Sequence, residues 1–266
     1  MKIKTTVYLL FLNLCIISFS QGSSDYDGAQ FSMGSSFFHG DAGTGSARIG
    51  LNLGVAYRHM FNKKWSVRPK FNYTSLNGDD SKGKNKERNL SFKNKSLRGE
   101  ITLVHNFVEY DPGKIQFSGA SPYIAFGLGG MTNNPTAVYQ GTTYDLQGLT
   151  TEGINYSRFV FYLPLSLGIN IHINNKTYIG FEYTFHYVFS DYLDDVSSEY
   201  IENSKLNGVA KSLADRTYEG GYTPTTTNDG KTWSEGSQRG SNNSNDFFST
   251  FSFHIGYSFH KNRGRH

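Results

Sequence analysis

The chain has 266 residues with 26 lysines and arginines against 22 aspartates and glutamates, and this near balance gives no strong electrostatic case for nucleic-acid binding. Its single cysteine, Cys15, excludes a disulfide framework. Aromatic residues make up 15% of the chain and there are 29 glycines, a composition that favours an all-β secreted protein or an outer-membrane barrel.

The first twenty residues have the features of an export signal. Lys2 and Lys4 form a short cationic region, residues 7–19 are mostly apolar, and small residues precede a cleavage site after residue 20. We therefore predict a signal peptide over 1–20 and a mature chain outside the cytoplasm.

Long segments of the mature chain alternate between apolar and polar residues, which is typical of β-strands with one apolar face. In chain order these segments are 28–38, 47–57, 65–74, 97–107, 122–131, 159–173, 179–187 and 247–259. They are longer than the ~5–6 residues typical of soluble sheets and match the ~9–11 residues that cross a bilayer. We predict an all-β fold, an eight-stranded antiparallel transmembrane β-barrel over 21–260, in the outer membrane of a Gram-negative bacterium. The alternative is a secreted β-sandwich, which would not need strands so long or so aromatic.

The connections between these segments alternate between short and long. Short ones fall at Asn62–Lys64 and Asn174–Lys176, with a middling one at 109–119. Longer ones fall at 76–94, 132–157 and 190–246, with a modest one at 40–46. Outer-membrane barrels have short periplasmic turns and longer external loops, so we expect the long connections outside the cell.

An eight-stranded barrel is narrow, so side chains fill its interior. The polar faces of the predicted strands bring charged residues there, namely Arg48, Arg58, Arg68, Lys70, Arg98, Glu100, Arg158 and Glu182. Because buried charges must be paired, we expect Glu100 and Glu182 to bind several of the cations. The expected plug of ion pairs argues against an open transport pore.

The segment Ser190–Tyr200, SDYLDDVSSEY, crowds four acids at the start of the longest loop. The acids are Asp191, Asp194, Asp195 and Glu199. They could ligate calcium through carboxylate oxygens, although their spacing is not that of a calcium-binding loop. The favoured alternative is a short capped helix over the barrel rim, because the apolar residues recur at roughly helical spacing. We also expect Arg216 to pair with Asp191, Asp194 or Asp195 and so to tie the ends of the 190–246 loop together.

No motif of the sequence predicts catalysis, a cofactor or a firmly bound metal. His254 with Ser252 or Ser258, and with Glu182, could imitate a hydrolase triad, but no G-x-S-x-G motif is present. We therefore expect no enzymatic activity, and a lipid A-modifying enzyme is the enzymatic alternative.

Two segments are basic. The run 78–95, GDDSKGKNKERNLSFKNK, has five lysines and one arginine against three acids. It is either a solvated loop tip or a contact with lipopolysaccharide phosphates above the barrel rim. The tail 261–266, KNRGRH, is expected in the periplasm, where it could contact peptidoglycan or a partner.

Three further stretches carry a resemblance to a known family. They are YTFHYVFSDYLDDVSSEY, SLADRTYEG and RGSNNSNDFFSTFSFHIGYSF. They resemble Bacteroidota outer-membrane barrels typified by PorG of the type IX secretion system. The resemblance implies a non-enzymatic eight-stranded barrel that links the outer membrane to the periplasmic PorK–PorN ring. PorG-type members carry cysteines near the C-terminus and this chain has none there, which puts a cysteine-dependent attachment in doubt. The alternative is an adhesion or envelope-protection barrel that acts through its external loops.

Overall fold

The computed structural model describes residues 26–43, 49–109, 119–221 and 235–260. The predicted signal peptide, the basic tail and Arg48 lie outside the described residues. The strands are β1 (Tyr26–His39), β2 (Gly50–Met60), β3 (Trp65–Asp79), β4 (Ser91–Asn106), β5 (Ala120–Thr132), β6 (Pro135–Tyr139), β7 (Thr142–Asp145), β8 (Phe159–His172), β9 (Thr177–Val188) and β10 (Phe247–His260). The helices are α1 (Leu146–Leu149) and α2 (Val209–Ala214), with 3-10 turns at Asp80–Lys82, Asn203–Lys205 and Thr217–Gly220. Among the helices described, none is long and apolar enough to cross a membrane.

Eight of these strands form a closed antiparallel barrel. Strands β1 to β5 and β8 to β10 each pair with the next of the eight along the chain. β1 also pairs with β10, which closes the ring. β6 and β7 form a separate hairpin, in which β6 pairs with the first residues of β4 at the long-loop end of the barrel. The predicted eight-stranded antiparallel barrel is confirmed.

Side chains along the barrel strands alternate between an exposed apolar outer face and a buried inner face. On β8, Phe161, Leu163 and Leu165 are exposed, whereas Tyr162 and Ser166 are buried. Similar exposed apolar residues on the other strands continue this surface around the barrel. Soluble monomers rarely expose an apolar surface of this extent, whereas transmembrane barrels need one against lipid.

The two short turns at one end of the barrel share a hydrogen-bonding pattern. Asn62 Oδ1 accepts hydrogen bonds from the backbone N–H groups two and three residues later, at 2.9 and 2.8 Å. Asn174 Oδ1 makes the same two bonds at the same distances. Asparagine side chains of this kind hold tight turns. The opposite end carries the long connections, so the barrel has one compact end and one elaborate end.

Candidate functional site

The middle of the barrel interior holds a network of buried charges, defined here as the interior network: Arg68, Lys70, Arg98, Glu100 and Glu182. Glu182 on β9 accepts a hydrogen bond from Lys70 Nζ at 2.9 Å, and its other oxygen lies 2.6 Å from Arg68 Nη2. Both cations come from β3, where they are two residues apart and therefore share the inner face.

Glu100 on β4 links the two sides of the interior network. Its carboxylate oxygens lie 3.9 Å from Lys70 Nζ and 3.6 Å from Arg98 Nη1. Arg98 also donates hydrogen bonds to Thr74 Oγ1 at 2.8 Å and to Asn52 Oδ1 at 3.0 Å. The network therefore crosses the lumen with every charge near one of opposite sign, as buried charges require.

Two tyrosines complete the network, and each lies across a glycine of the neighbouring strand. Tyr123 and Tyr162 each donate a hydrogen bond to one glutamate of the network at 2.8 Å. In the β5–β8 register, Tyr123 faces Gly168 and Gly129 faces Tyr162. A methyl group at either glycine would lie 2.3 Å from a carbon of the facing ring. These positions therefore need glycine because an aromatic ring approaches the backbone closely.

Of the arginines predicted to face the interior, Arg58 does so outside the interior network, and Arg158 does not. Arg58 is buried, but it donates to Ser66 Oγ at 2.8 Å and Asn106 Oδ1 at 2.9 Å, away from the carboxylates of the network. The prediction for Arg158 is wrong, because its exposed side chain pairs with Asp145 at 2.7 Å. Arg158 precedes β8 at the rim, where the preceding loop supplies an acid outside the lumen.

An apolar layer fills the lumen between the interior network and the long loops. It contains Phe38, Leu76, Phe92, Met131, Leu193 and Phe248. Leu193 comes from the loop after β9, so this loop inserts a side chain into the barrel mouth. The guanidinium of Arg98 lies over the ring of Phe248 at 5.1 Å, which joins the two layers. The part of the lumen that the structure describes is packed with side chains.

A second polar network ties the long loops to the rim, and we call it the outer cap: Asp41, Asp80, Arg88, Glu152, Asp191, Asp194, Asp195, Arg239 and Asp246. Arg88 Nε donates to Asp80 at 2.7 Å, and its Nη atoms donate to the carbonyls of Asp41 at 2.6 Å and Arg239 at 2.5 Å. One buried guanidinium thus joins three loops.

Arg239 is the second anchor of the outer cap. Its Nη1 donates to Glu152 Oε1 at 2.8 Å and to the carbonyl of Asp195 at 2.6 Å, and its Nε donates to the carbonyl of Ala214 at 3.1 Å. Glu152 also accepts from the backbone N–H of Ser197 at 3.1 Å. Burial alone would lower the pKa of Arg239, but the charges of Glu152 and Asp195 raise it above its ordinary value.

The acidic segment 190–200 is not helical, so the predicted capped helix there is wrong. Asp194 accepts from the N–H of Val196 at 3.0 Å and from the N–H of Ala42 at 2.7 Å. Asp195 adopts a φ of 70°. Side chains that bond to nearby backbone groups compete with helix formation, and here they also bind a distant loop. In the described part of the 190–246 loop, the α-helix is α2 instead.

The predicted anchor Arg216 does not reach the acidic segment. It pairs with Glu219 at 2.8 Å, within the same short turn. Arg239 takes the expected place, since it contacts both the carbonyl and, at 3.7 Å, the carboxylate of Asp195. The predicted pairing of Arg216 is therefore wrong; its expected partners were Asp191, Asp194 and Asp195.

The four acids considered as calcium ligands do not converge. No three acidic, histidine or cysteine side chains within the described ranges form a group that could hold a metal ion. Asp195 accepts from the hydroxyl groups of Thr151 and Tyr156 at 2.5 and 2.8 Å, and Glu199 lies in an isolated bridge with Gln238. Asp194 and Asp195 therefore act as hydrogen-bond acceptors within the outer cap.

Burial raises the pKa of several carboxyl groups in the outer cap. It raises the pKa of Asp191 to about 7 and that of Asp195 to about 6. Burial also raises the pKa of Asp194 and Asp246, and the charge of Asp194 raises the pKa of Asp246 further. These groups therefore lose their protons at pH values well above the ordinary pKa range of aspartate.

Sequence reasoning missed Asp80, Arg88, Glu152 and Arg239 as cap residues. Arg88 lies in the basic run for which a solvated loop tip or a lipopolysaccharide contact is predicted, yet it is buried. The sequence does show isolated arginines and acids in different external loops, which indicates that ion pairs could join these loops. It does not indicate which arginine pairs with which acid. The imagined triad does not form either, because His254 Nε2 contacts Asn170 Oδ1 at 2.8 Å.

Comparison with known proteins identifies a family and a general likeness of fold. A family model described as a domain of unknown function, DUF6089, matches residues 6–227. No curated protein matches the sequence. The N-terminal barrel domain of Pseudomonas aeruginosa OprF is similar at 7% identity and a TM-score of 0.41, covering 90% of this chain and 100% of its own. Neisserial surface protein A is similar at 11% identity and a TM-score of 0.44, covering 90% of this chain and 100% of its own. Yersinia pestis Ail, in complex with a heparin analogue, is similar at 13% identity and a TM-score of 0.41, covering 89% of this chain and 99% of its own. Likeness at this level carries no argument about function.

Proposed function

Since the chain belongs to the DUF6089 family, whose function is unknown, we propose that it is a non-enzymatic outer-membrane barrel that acts through its two ends. The observation that carries the proposal is the closed interior, where Glu182 holds Arg68 and Lys70 across the lumen. The apolar outer face and the contrast between short turns and long loops support the location.

Conductance tests this proposal directly. Protein reconstituted into planar bilayers should give no steady current, because the interior network and the apolar layer obstruct the lumen. A stable open level in the range of a water-filled porin would contradict it. Fractionation of envelopes should place the protein in the outer membrane.

The more specific form of the proposal is a link to a periplasmic ring of the type IX secretion machinery. Its support is the sequence resemblance to PorG-like barrels together with a compact turn end. Lys64 and Lys176 are exposed on the two asparagine-held turns and give that end a rigid basic surface.

Affinity purification of the tagged protein from gently solubilised envelopes, followed by mass spectrometry, tests the link. Ring proteins should co-purify with the wild type and be lost with Lys64→Glu/Lys176→Glu. Lys84→Glu/Lys86→Glu, at the loop end, is the matched control and should retain them. A barrel recovered without ring proteins, with secretion intact in a deletion strain, would contradict the link.

A second candidate function is adhesion or envelope protection through the outer cap. The observation that favours it is the ordering of the long loops by Arg88 and Arg239, which gives a pre-organised external surface. Shortening the 203–236 segment should then reduce surface binding and leave co-purification with periplasmic proteins unchanged. The reverse result would favour the periplasmic link.

A further inference from the structure

The outer face of β4 changes from basic to apolar at one level of the barrel wall. Lys93 and Lys95 are exposed on this face, whereas the alternate residues Asn94 and Ser96 are buried. Asn94 points inward, where its side chain donates to a carbonyl of the loop after β9 at 2.9 Å. Leu97 follows on the outer face and is 51% exposed, so the apolar surface begins directly below the lysines.

The strands beside these lysines present polar, uncharged residues. In the sheet register, Lys93 lies between Asn77 on β3 and Thr136 on β6, and Lys95 lies beside Ser75. Neither lysine has an ion-pair partner among the described residues. Ser75 is buried and the hydroxyl of Thr136 donates to the carbonyl of Lys93 at 2.8 Å, so the half-buried amide of Asn77 is the polar side chain left beside the two ammonium groups. An amide next to two ammonium groups suits an oxygen-rich anion such as a phosphate.

Other charges nearby are already engaged. Asp79 lies on β3 two register positions above the Asn77–Lys93 pair, and its carboxylate accepts a hydrogen bond from the N–H of Ser81 at 2.9 Å. Arg216, which reaches Ser91 Oγ at 3.2 Å, is neutralised by Glu219 at 2.8 Å. Asp79 keeps its negative charge in this bond, whereas the charge of Arg216 is balanced by Glu219. Within the described part of this face, the two lysines are therefore the cations that no acid pairs with.

Below the lysines, the lipid-facing wall contains a groove of about 740 Å³. Gly99 on β4 and Gly130 on β5 are register partners and lie between Phe71 and Phe161. At Gly130 the ring of Phe159 covers the backbone, whereas a methyl group at Gly99 would meet no heavy atom within 4 Å. The groove is thus open at Gly99 and has aromatic walls.

The basic site and the groove lie on one line along β4. Lys95 and Gly99 are four residues apart, which is roughly 13 Å along a strand. A phosphorylated lipid has its phosphate and its acyl chains at such a separation, and an unfilled groove in the wall would lack van der Waals contacts. Basic residues at a membrane surface attract anionic headgroups.

We propose that the outer face of β3, β4 and β5 binds one lipopolysaccharide molecule through its lipid A part. A phosphate lies at Lys93 and Lys95, and an acyl chain lies in the groove at Gly99. The site rests on the proposed outer-membrane location with the long loops outside the cell. The lysines then lie in the outer leaflet, whose phosphorylated lipid is lipid A.

The test measures lipid retained by full-length mature protein in nanodiscs of phosphatidylcholine with a small fraction of probe lipid. The probes are diphosphoryl lipid A, the same lipid A after dephosphorylation, and phosphatidylglycerol. Native mass spectrometry should find one diphosphoryl lipid A retained, and at least about tenfold less of either other probe, because two cations favour the phosphorylated sugar headgroup. Equal retention of phosphatidylglycerol would overturn the proposal in favour of general attraction to anionic lipid. This comparison uses the wild type and does not depend on a variant folding.

Two variants separate the headgroup from the chain. Lys93→Gln/Lys95→Gln should lower retention of diphosphoryl lipid A about tenfold and leave the dephosphorylated lipid unchanged. Gly99→Leu should fill the groove and lower retention of both. Two matched controls should behave as wild type. Lys84→Gln/Lys86→Gln removes two lysines of the loop, and Ala29→Leu adds a large side chain at another exposed outer position. Retention at the wild-type level in both test variants would overturn the site.

Envelope fractionation of the wild type keeps this result distinct from the proposed function. Recovery outside the outer membrane would remove the location, and the lipid site with it. Recovery in the outer membrane with no selectivity for diphosphoryl lipid A would overturn the lipid site alone.

Discussion

Tyr123 lies across Gly168 of the neighbouring strand and donates a hydrogen bond to Glu182 at 2.8 Å. The glycine therefore affects the interior network without touching a charged group, because it provides the space in which the tyrosine ring lies. The same geometry recurs where Tyr162 lies across Gly129. Position-specific glycines and buried ion pairs are thus parts of one packing arrangement.

Gly168→Ala should destabilise the barrel by roughly 1–3 kcal/mol, because the added methyl displaces the Tyr123 ring and leaves Glu182 with one donor fewer. Urea unfolding of the reconstituted protein measures this. Gly99→Ala is the matched control, because the added methyl at this strand position meets no heavy atom within 4 Å. This variant should unfold at the wild-type urea concentration or above. Equal midpoints for the two variants would contradict the interpretation.

Glu182→Gln should cost more than the glycine variant, roughly 3–5 kcal/mol, because it leaves Arg68 and Lys70 buried without their shared carboxylate. The same unfolding measurement applies. Asp145→Asn breaks an exposed pair with Arg158 and should cost less than about 1 kcal/mol. The idea fails if the buried and the exposed variants lose similar stability.

The barrel and its interior charges could be predicted from sequence because strand alternation fixes the face of each residue. Lys70 and Glu100, for example, are register partners on neighbouring strands, and both point inward. Arg158 departs from this rule because alternation ends where β8 begins.

The outer cap could not be predicted because its contacts join loops that are far apart in sequence. Arg239 and Glu152 are 87 residues apart. The apolar spacing in segment 190–200 suggested a helix, but hydrogen bonds from Asp194 to two backbone N–H groups outweigh that local preference. Long-range pairing of this kind leaves no period in the sequence.

Arg239→Ala should loosen the outer cap, because it removes hydrogen bonds to Glu152 and to the carbonyls of Asp195 and Ala214. Cleavage of the 190–246 loop by chymotrypsin in intact cells should become roughly tenfold faster, as expected for the loss of a buried charged anchor. Arg216→Ala, which breaks a local pair with Glu219, should change the rate little. Faster cleavage in the Arg216 variant than in the Arg239 variant would reverse the assignment.

The outer cap should become more stable as the pH falls from about 8 to about 5, which is opposite to the usual behaviour of paired carboxylates. Burial raises the pKa of Asp191 to about 7 and that of Asp195 to about 6 in the folded cap, above the ordinary aspartate value of an opened loop. At pH values between the ordinary aspartate pKa and about 7, the closed cap therefore binds more protons than the open loop. Its stability grows as the pH falls through about 7 and 6 and is lost as the pH rises through them.

Hydrogen exchange of the 190–200 amides, expressed as protection factors to remove the intrinsic pH dependence, measures this effect. Protection should rise on the order of tenfold between pH 8 and pH 5 in the wild type. Asp191→Asn should remove the part of the rise near pH 7, because the amide is neutral at every pH. Asp145→Asn alters an exposed aspartate and should keep the full rise. Protection that falls with acidification would show that the cap is held by ionised rather than protonated carboxyl groups.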